Sequence, residues 1–584
     1  MKNKYITIIL FLFSITVFAQ EQNQNIEAPK SKIFGSFESN GQWYLNDKKR
    51  DLQHDSIPLR SNNYLNVNYN YGKLTTGVQV ESYTSQALLN YNPKYKNTNL
   101  GIYFANYKSK KMEATIGHFY EQFGSGLLLR SYEDRSLGIN NAIRGGKISF
   151  TPNDNISFTA LYGRHRTGFE VAKGDIFGFD SNFNLSSLLK KNKLELTFGL
   201  SYVGRYEKSY FEVPNFSELT NAFAGRASLV KNNFYINGEY NFKSKDAVLI
   251  AASNKISNDF IKPGSAVLLN FGYSKKGLGL DATLRRLENM TFLSEREPQF
   301  SGIGKTSLFY NDMLMNFLPS LTKQNHSTLS NIYVYQAQAG VNIDPNSGIG
   351  KAGEMGGQVD FYYDFKKGTT LGGKYGTKMS INFSNWYNLG GKYTFLNQNG
   401  DYAPNYSTDF FSTKEKYYSD YNIELSKKFS QKLSGSISYI NQYYNNRLIT
   451  TAADIVVKTN IVTAESTIKF SKVKSFTFGL EHMWADADRR NWMSSTIEYN
   501  HNANWSMYIT DMYNYGYNPN EQQISGGIDP FRINFYNFGG SYKKGKSRIA
   551  LNYGRQRGGL VCAGGVCRYV PQSTGVSLSL STAF

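Results

Sequence analysis

The chain is poor in the residues that mark most soluble folds and helical membrane proteins. Its 584 residues include 2 cysteines, 13 prolines and 6 histidines. Two cysteines exclude a disulfide-rich framework and a multi-cysteine zinc module. The histidines (His54, His118, His165, His326, His482 and His501) show no His-x-x-x-His ligand spacing, so neither a metal nor another cofactor is expected. Long apolar runs are missing after the first, Ile6 to Phe18, and the mean hydropathy is −0.46. That combination excludes a bundle of spanning helices, each of which needs about 20 apolar residues in a row.

What is present is aromatic and small. Tyr (44), Phe (40) and Gly (52) are abundant. They fall in short alternating runs: Leu65, Val67, Tyr69 and Tyr71 on one face oppose Asn66, Asn68 and Asn70. Leu74, Val78 and Val80 oppose Gln79 and Glu81, and Phe476, Phe478, Leu480 and Trp484 oppose Ser475, Thr477 and Glu481. A period of two is a strand signature. With one face for lipid, one for water and aromatics for the interfaces, it is the pattern of a membrane β-barrel. Fixed-period repeats, the mark of a soluble β-helix or propeller, are absent.

The amino terminus fits export. Lys2 and Lys4 precede the apolar run, and Val17-Phe18-Ala19 offers a cleavage site before Gln20. The expected organisation is a signal peptide at 1–19, a short periplasmic segment at 20–33, and an outer-membrane barrel at 34–584. Net charge is +20, or +18 once Lys2 and Lys4 are removed. No nucleic-acid-binding motif accompanies it, so lipid headgroups, lipopolysaccharide and a basic lumen are the expected counterparts and nucleic acid is not.

Connections sort by length. Short polar turns recur at 108–110, 152–155, 190–193, 231–233, 275–277, 366–368, 429–432, 471–474 and 543–545. Longer segments lie between them at 48–60, 122–140, 290–352, 386–416 and 515–528. Counting back from a last strand that ends at Phe584 puts every short turn on the periplasmic side and every long segment outside. The expected fold is all-β: a transmembrane antiparallel up-and-down β-barrel of about 24 strands, in the range of roughly 22 to 26, with short periplasmic turns and long extracellular loops.

The terminal strand Gly575 to Phe584 resembles the C-terminal signal read by the barrel-assembly machinery of Gram-negative bacteria. The run Phe119-Tyr120-Glu121-Gln122-Phe123-Gly124-Ser125-Gly126-Leu127, continuing to Arg130 and Arg135, resembles an uncharacterised porin-like outer-membrane β-barrel family. The resemblance implies fold and compartment, a multi-pass protein of the bacterial outer membrane, and leaves function open.

Three local features could carry function. Cys562 and Cys567 flank Gly564 and Gly565 in the last outer loop, where an oxidising compartment favours a disulfide. Arg130, Glu133, Asp134, Arg135 and Arg144 cannot face lipid at mid-depth, so they belong to a lumen constriction or to a solvated loop. The segment 290–352 is long enough to be a lid, a plug, a docking surface or a mobile loop. His482 has Asp486, Asp488, Arg489 and Arg490 nearby, read as rim charges. No catalytic residue is expected. The two functional readings are a porin-like channel for small hydrophilic or anionic solutes, and a non-conducting barrel whose outer loops serve as a partner platform.

Overall fold

The computed structural model describes residues 31–584 except 55, 85, 90–91, 187–193, 209–216, 251–254, 297–309, 451–453 and 517–531. The expected signal peptide, most of the 20–33 segment, the turn at 190–193 and most of 515–528 lie outside the described residues. Among those described, 24 antiparallel strands each pair with their neighbours in sequence. The last strand, Ser573–Ala583, closes on the first, Ser31–Tyr44, in a register running from Ser36↔Ala583 to Tyr44↔Gly575. Phe584 finishes the seam. Its N–H donates to the Gly35 carbonyl at 3.0 Å, and its ring occupies the space that a Cβ on Gly35 would need.

The alternation read from the sequence sets which face each residue takes. Directly paired residues share a face. The ladder Glu38↔Tyr64↔Glu81 points inward, and the next rung, Leu65↔Val80, points outward. Ile33, Ile116, Leu200, Ile236 and Leu551 stand exposed on the outer surface. Trp43, Tyr206 and Trp484 are exposed near one end of the barrel, and Phe234, Phe429, Phe470 and Trp505 near the other. An exposed apolar wall between two aromatic bands is stable in lipid and unstable in water.

The two ends differ. At the turn end most connections are tight: 72–73, 109–111, 154–155, 232–233, 276–277, 429–432, 470–474, 501–504 and 545–546. Among the fully described connections there, the exception is 366–376, expected as a short turn but eleven residues long. The loop end holds the long connections. One expected there is not a loop: most of 386–416 extends the strands Thr377–Leu396 and Tyr402–Lys428, joined by a turn at 397–401. Alternation at Lys392 to Leu396 carries the ladder past the rim, through register shifts around Tyr387 and Leu389.

Leu200 lies midway along the strand Leu194–Tyr206 and is 61% exposed outward. Leu200→Arg should cost about 2–4 kcal/mol in a bilayer. The same change at the inward, exposed Thr197 should cost much less. Urea unfolding in lipid vesicles checks the difference.

Candidate functional site

The lumen is not empty. The connection 289–352 leaves the strand Leu278–Glu288 and returns to the strand Gly353–Phe365, and its described parts, 289–296 and 310–352, fold into the barrel. Its two roots are tied together: Asn289 N–H donates to the Ala352 carbonyl at 2.8 Å, and Met290 N–H to Ala339 at 2.9 Å. An ion pair sits at the same place. Arg285 and Glu354, on the two flanking strands and both fully buried, meet at 2.5 Å. Arg285 also donates to the Pro319 carbonyl at 2.6 Å, while Glu354 accepts from Tyr335 Oη at 2.5 Å and Gln338 N at 2.6 Å. The loop itself thereby supplies partners to two buried charges of the wall.

Farther along, the loop meets the wall beyond its return strand. The Trp386 indole N–H donates to the Leu321 carbonyl at 3.0 Å. Lys323 reaches Ser380 Oγ at 3.3 Å and Asn422 Oδ1 at 3.1 Å. Glu481, an inward residue of Ser475–Ala485, accepts from Ser327 Oγ at 2.6 Å, Thr328 N at 2.9 Å and Leu329 N at 3.0 Å. It thus holds the start of the short 3-10 turn Ser330–Ile332. Tyr333 Oη donates to Asp488 at 2.8 Å. Burial and the Asp488 charge both push the Tyr333 phenol well above its usual range.

These polar anchors fix an apolar filling. Leu329, Tyr333, Tyr335 and Ile349 of the loop pack against inward wall residues that include Trp386, Tyr418, Ile461 and Trp492. On the other side, Phe292 and Met315 pack with Leu161, Ile176 and Val203 of the wall and with Phe123, Leu128 and Leu129. The loop half of the lumen therefore has a hydrophobic core, and the described parts of 289–352 form an internal plug. The turn half keeps a polar wall of Ser, Thr, Asn and acidic residues, such as Asn382, Asn422 and Glu424.

The sequence-predicted charges fall in four places. Arg135 reaches the inner wall, with Glu38 at 2.7 Å, Glu133 at 3.1 Å and Gln79 at 3.1 Å, and stacks over Tyr64. Burial works against its charge, but Glu133 and Glu38 outweigh that and raise its pKa. Asp134 is spent locally, accepting from Ser136 Oγ and Leu137 N. Arg130 lies over the rings of Phe317 and Tyr132, and its N–H donates to the Met315 carbonyl at 2.8 Å. Gly126 makes this seat possible. It has φ +92°, and its carbonyl accepts from Phe317 N at 2.8 Å. Arg144 lies elsewhere: it is exposed, paired with Arg164 on the outer face at the rim.

Cys562 and Cys567 are cross-strand partners in the hairpin of Gly559–Ala563 and Val566–Val570, and they form a disulfide. Gly564 and Gly565, both at positive φ, make its two-residue turn. The turn docks on the plug. Ser320 donates to the Gly565 carbonyl through both N–H (2.8 Å) and Oγ (3.0 Å). The Gln324 side-chain carbonyl, turned to satisfy its neighbours, accepts from the Gly564 and Gly565 N–H groups. Cys567 Sγ lies 3.7 Å from the Tyr335 carbonyl oxygen.

The anchors Arg285, Glu354, Trp386, Glu481 and Asp488 were not among the sequence candidates. One signal existed for the first: adjacent arginines at 285 and 286 inside an alternating strand force one of them inward. Asp488, read as a rim charge, is buried and serves the plug instead. His482 turns outward beside Trp484 and Tyr515, and Asp486 accepts from Lys458 N at 2.8 Å.

A family model described as "Family of unknown function (DUF6029)" matches residues 1–584. No curated protein matches. Among solved structures the chain is similar to the siderophore receptor PirA from Pseudomonas aeruginosa, with 9% identity, TM-score 0.41, and coverage of 96% of this chain and 81% of that one. It is also similar to the P pilus usher PapC translocation pore, with 10% identity, TM-score 0.41, and coverage of 95% and 99%.

Two expectations follow from the anchors. Glu354→Gln strands Arg285 in the interior and should destabilise the plug by about 3–5 kcal/mol, whereas replacing both partners by apolar residues should cost less. Protease cleavage within 310–350 reads the difference. The second concerns Lys351, whose ammonium donates to Gln338 Oε1 at 2.8 Å and the Leu448 carbonyl at 2.5 Å, and which burial pulls from 10.5 down to about 8. The seated plug then holds fewer protons than the released one between about pH 8 and 10.5. Seating should therefore tighten as pH rises through that window, by on the order of 3 kcal/mol at its top, and not change through Lys351 below it. The same protease assay at pH 7.5 and pH 10, with Lys351→Met abolishing the difference, checks this.

Proposed function

The chain belongs to DUF6029, a family of unknown function, and we propose that it is an outer-membrane barrel held shut by its own loop 289–352 and acting as a partner platform. The turn end, with Phe584, faces the periplasm, where the terminal strand is the segment offered to the barrel-assembly machinery. The loop end faces outward among lipopolysaccharide. The observation that carries the reading is the plug. Among the described residues, a loop seated by the Arg285–Glu354 pair, by Glu481 and by a hydrophobic core fills much of the loop half. The extended hairpin of Thr377–Leu396 and Tyr402–Lys428, with Phe411 88% exposed at its side, and the disulfide-closed hairpin are the surfaces offered to a partner outside.

The porin-like reading requires the plug to leave, and it loses its charge filter as well. Arg135 is neutralised by Glu38 and Glu133, and Arg144 faces away from the lumen. Conductance in planar bilayers separates the two. The intact barrel should be silent, and a variant lacking residues 311–349 should show a stable open level. A stable, anion-preferring open level in the intact protein contradicts the platform reading.

A further inference from the structure

The turn end carries a basic cavity that the plug does not use. It has a volume of about 1120 Å³ and is built from the unusually long connection 366–376 and the ends of its neighbouring strands. Lys275, Lys276, Lys366, Lys367, Lys427 and Lys428 line it, with Lys378 on the adjoining inner wall. Two carboxylates, Asp364 and Glu465, share the lining. Asp364 is already engaged by Tyr362 Oη at 2.5 Å. Among the described residues none of the seven lysines has an ion-pair partner within 4.0 Å. Tyr375, from the connection itself, lies under the ammonium groups of Lys374 and Lys428, at 5.8 and 5.6 Å. The other described turns have no such excursion, so the connection is what makes the cavity.

We propose that this lysine-lined cavity is a docking site for an acidic peptide segment of a protein on the turn side of the barrel, an inference that rests on the platform reading above. Three features choose that occupant. The cations are spread along a connection and several strand ends, which suits carboxylates spaced along a chain better than one compact anion. The volume is at the upper end of small-ligand sites and leaves room for an extended segment. The plug narrows the route beyond: Lys323 rests on Ser380 and Asn422, one and two rungs above the Lys378↔Ser426 pair on the same inner faces. A ligand therefore enters and leaves from the turn side.

The test uses the full mature barrel in detergent micelles with a fluorescein-labelled hexaglutamate peptide, read by anisotropy. Binding that weakens as salt is raised, and that falls at least about tenfold in Lys366→Glu/Lys367→Glu, supports the site. These residues lie outside the strand ladder, and unchanged heat-modifiable gel migration shows that the variant is folded. Peptide binding indifferent to the substitution overturns the proposal. So does saturable binding of inorganic pyrophosphate without binding of the peptide, which makes the cavity a small-anion site. Conductance of the same preparation keeps the two readings apart. An open level with peptide bound sinks the platform and not the site, whereas a silent barrel that ignores the peptide sinks the site alone.

Discussion

The inside of this barrel is decided by a charge pair that the wall cannot satisfy alone. Arg285 and Glu354 stand on adjacent strands, fully buried, at the two roots of one loop. A bare ion pair in that position returns little more than its desolvation cost. It becomes favourable because the loop supplies the remaining partners: the Pro319 carbonyl for the guanidinium, and the Tyr335 hydroxyl and Gln338 N–H for the carboxylate. Those groups can be there only if 289–352 folds inward. The pair and the plug are conditions of each other.

The rest of the interior is organised around that arrangement. Where the plug lies, much of the inner wall is aromatic and aliphatic; below it, the wall is polar. Neighbouring segments close on the plug from both sides. Gly126 and Arg130 receive Phe317, and the disulfide hairpin places its Gly564–Gly565 turn against Ser320 and Gln324. The charged residues that look like a pore filter in isolation are fasteners. Arg135 pins its segment to Glu38 on the first strand, and Asp488 holds Tyr333.

Much of the fold was legible because its rule is local. Strand alternation has a period of two, so Asn66, Asn68 and Asn70 could be assigned to one face without knowing their neighbours, and Phe584 set the phase for turns and loops. The same locality misplaced 386–416, where strands continue beyond the barrel rim and length alone suggested a loop. It also missed the plug. Ser327 meets Glu481 across 154 residues of sequence, and nothing near either residue marks the contact. A lumen acid that binds water and one that binds a loop look the same in sequence. The cysteine pair was legible because its partners lie five positions apart with two turn-forming glycines between them.

The central claim is that 310–352 occupies the lumen. Ser327 is buried beneath the loop end, its hydroxyl 2.6 Å from Glu481. The direct measurement is labelling of Ser327→Cys on intact cells with a membrane-impermeant maleimide, alongside the Ser327→Cys/Glu481→Cys double variant. The account predicts that the single cysteine stays unlabelled and that the pair oxidises to a disulfide between loop and wall. Rapid, complete labelling of the single variant, with no crosslink in the double, would contradict it.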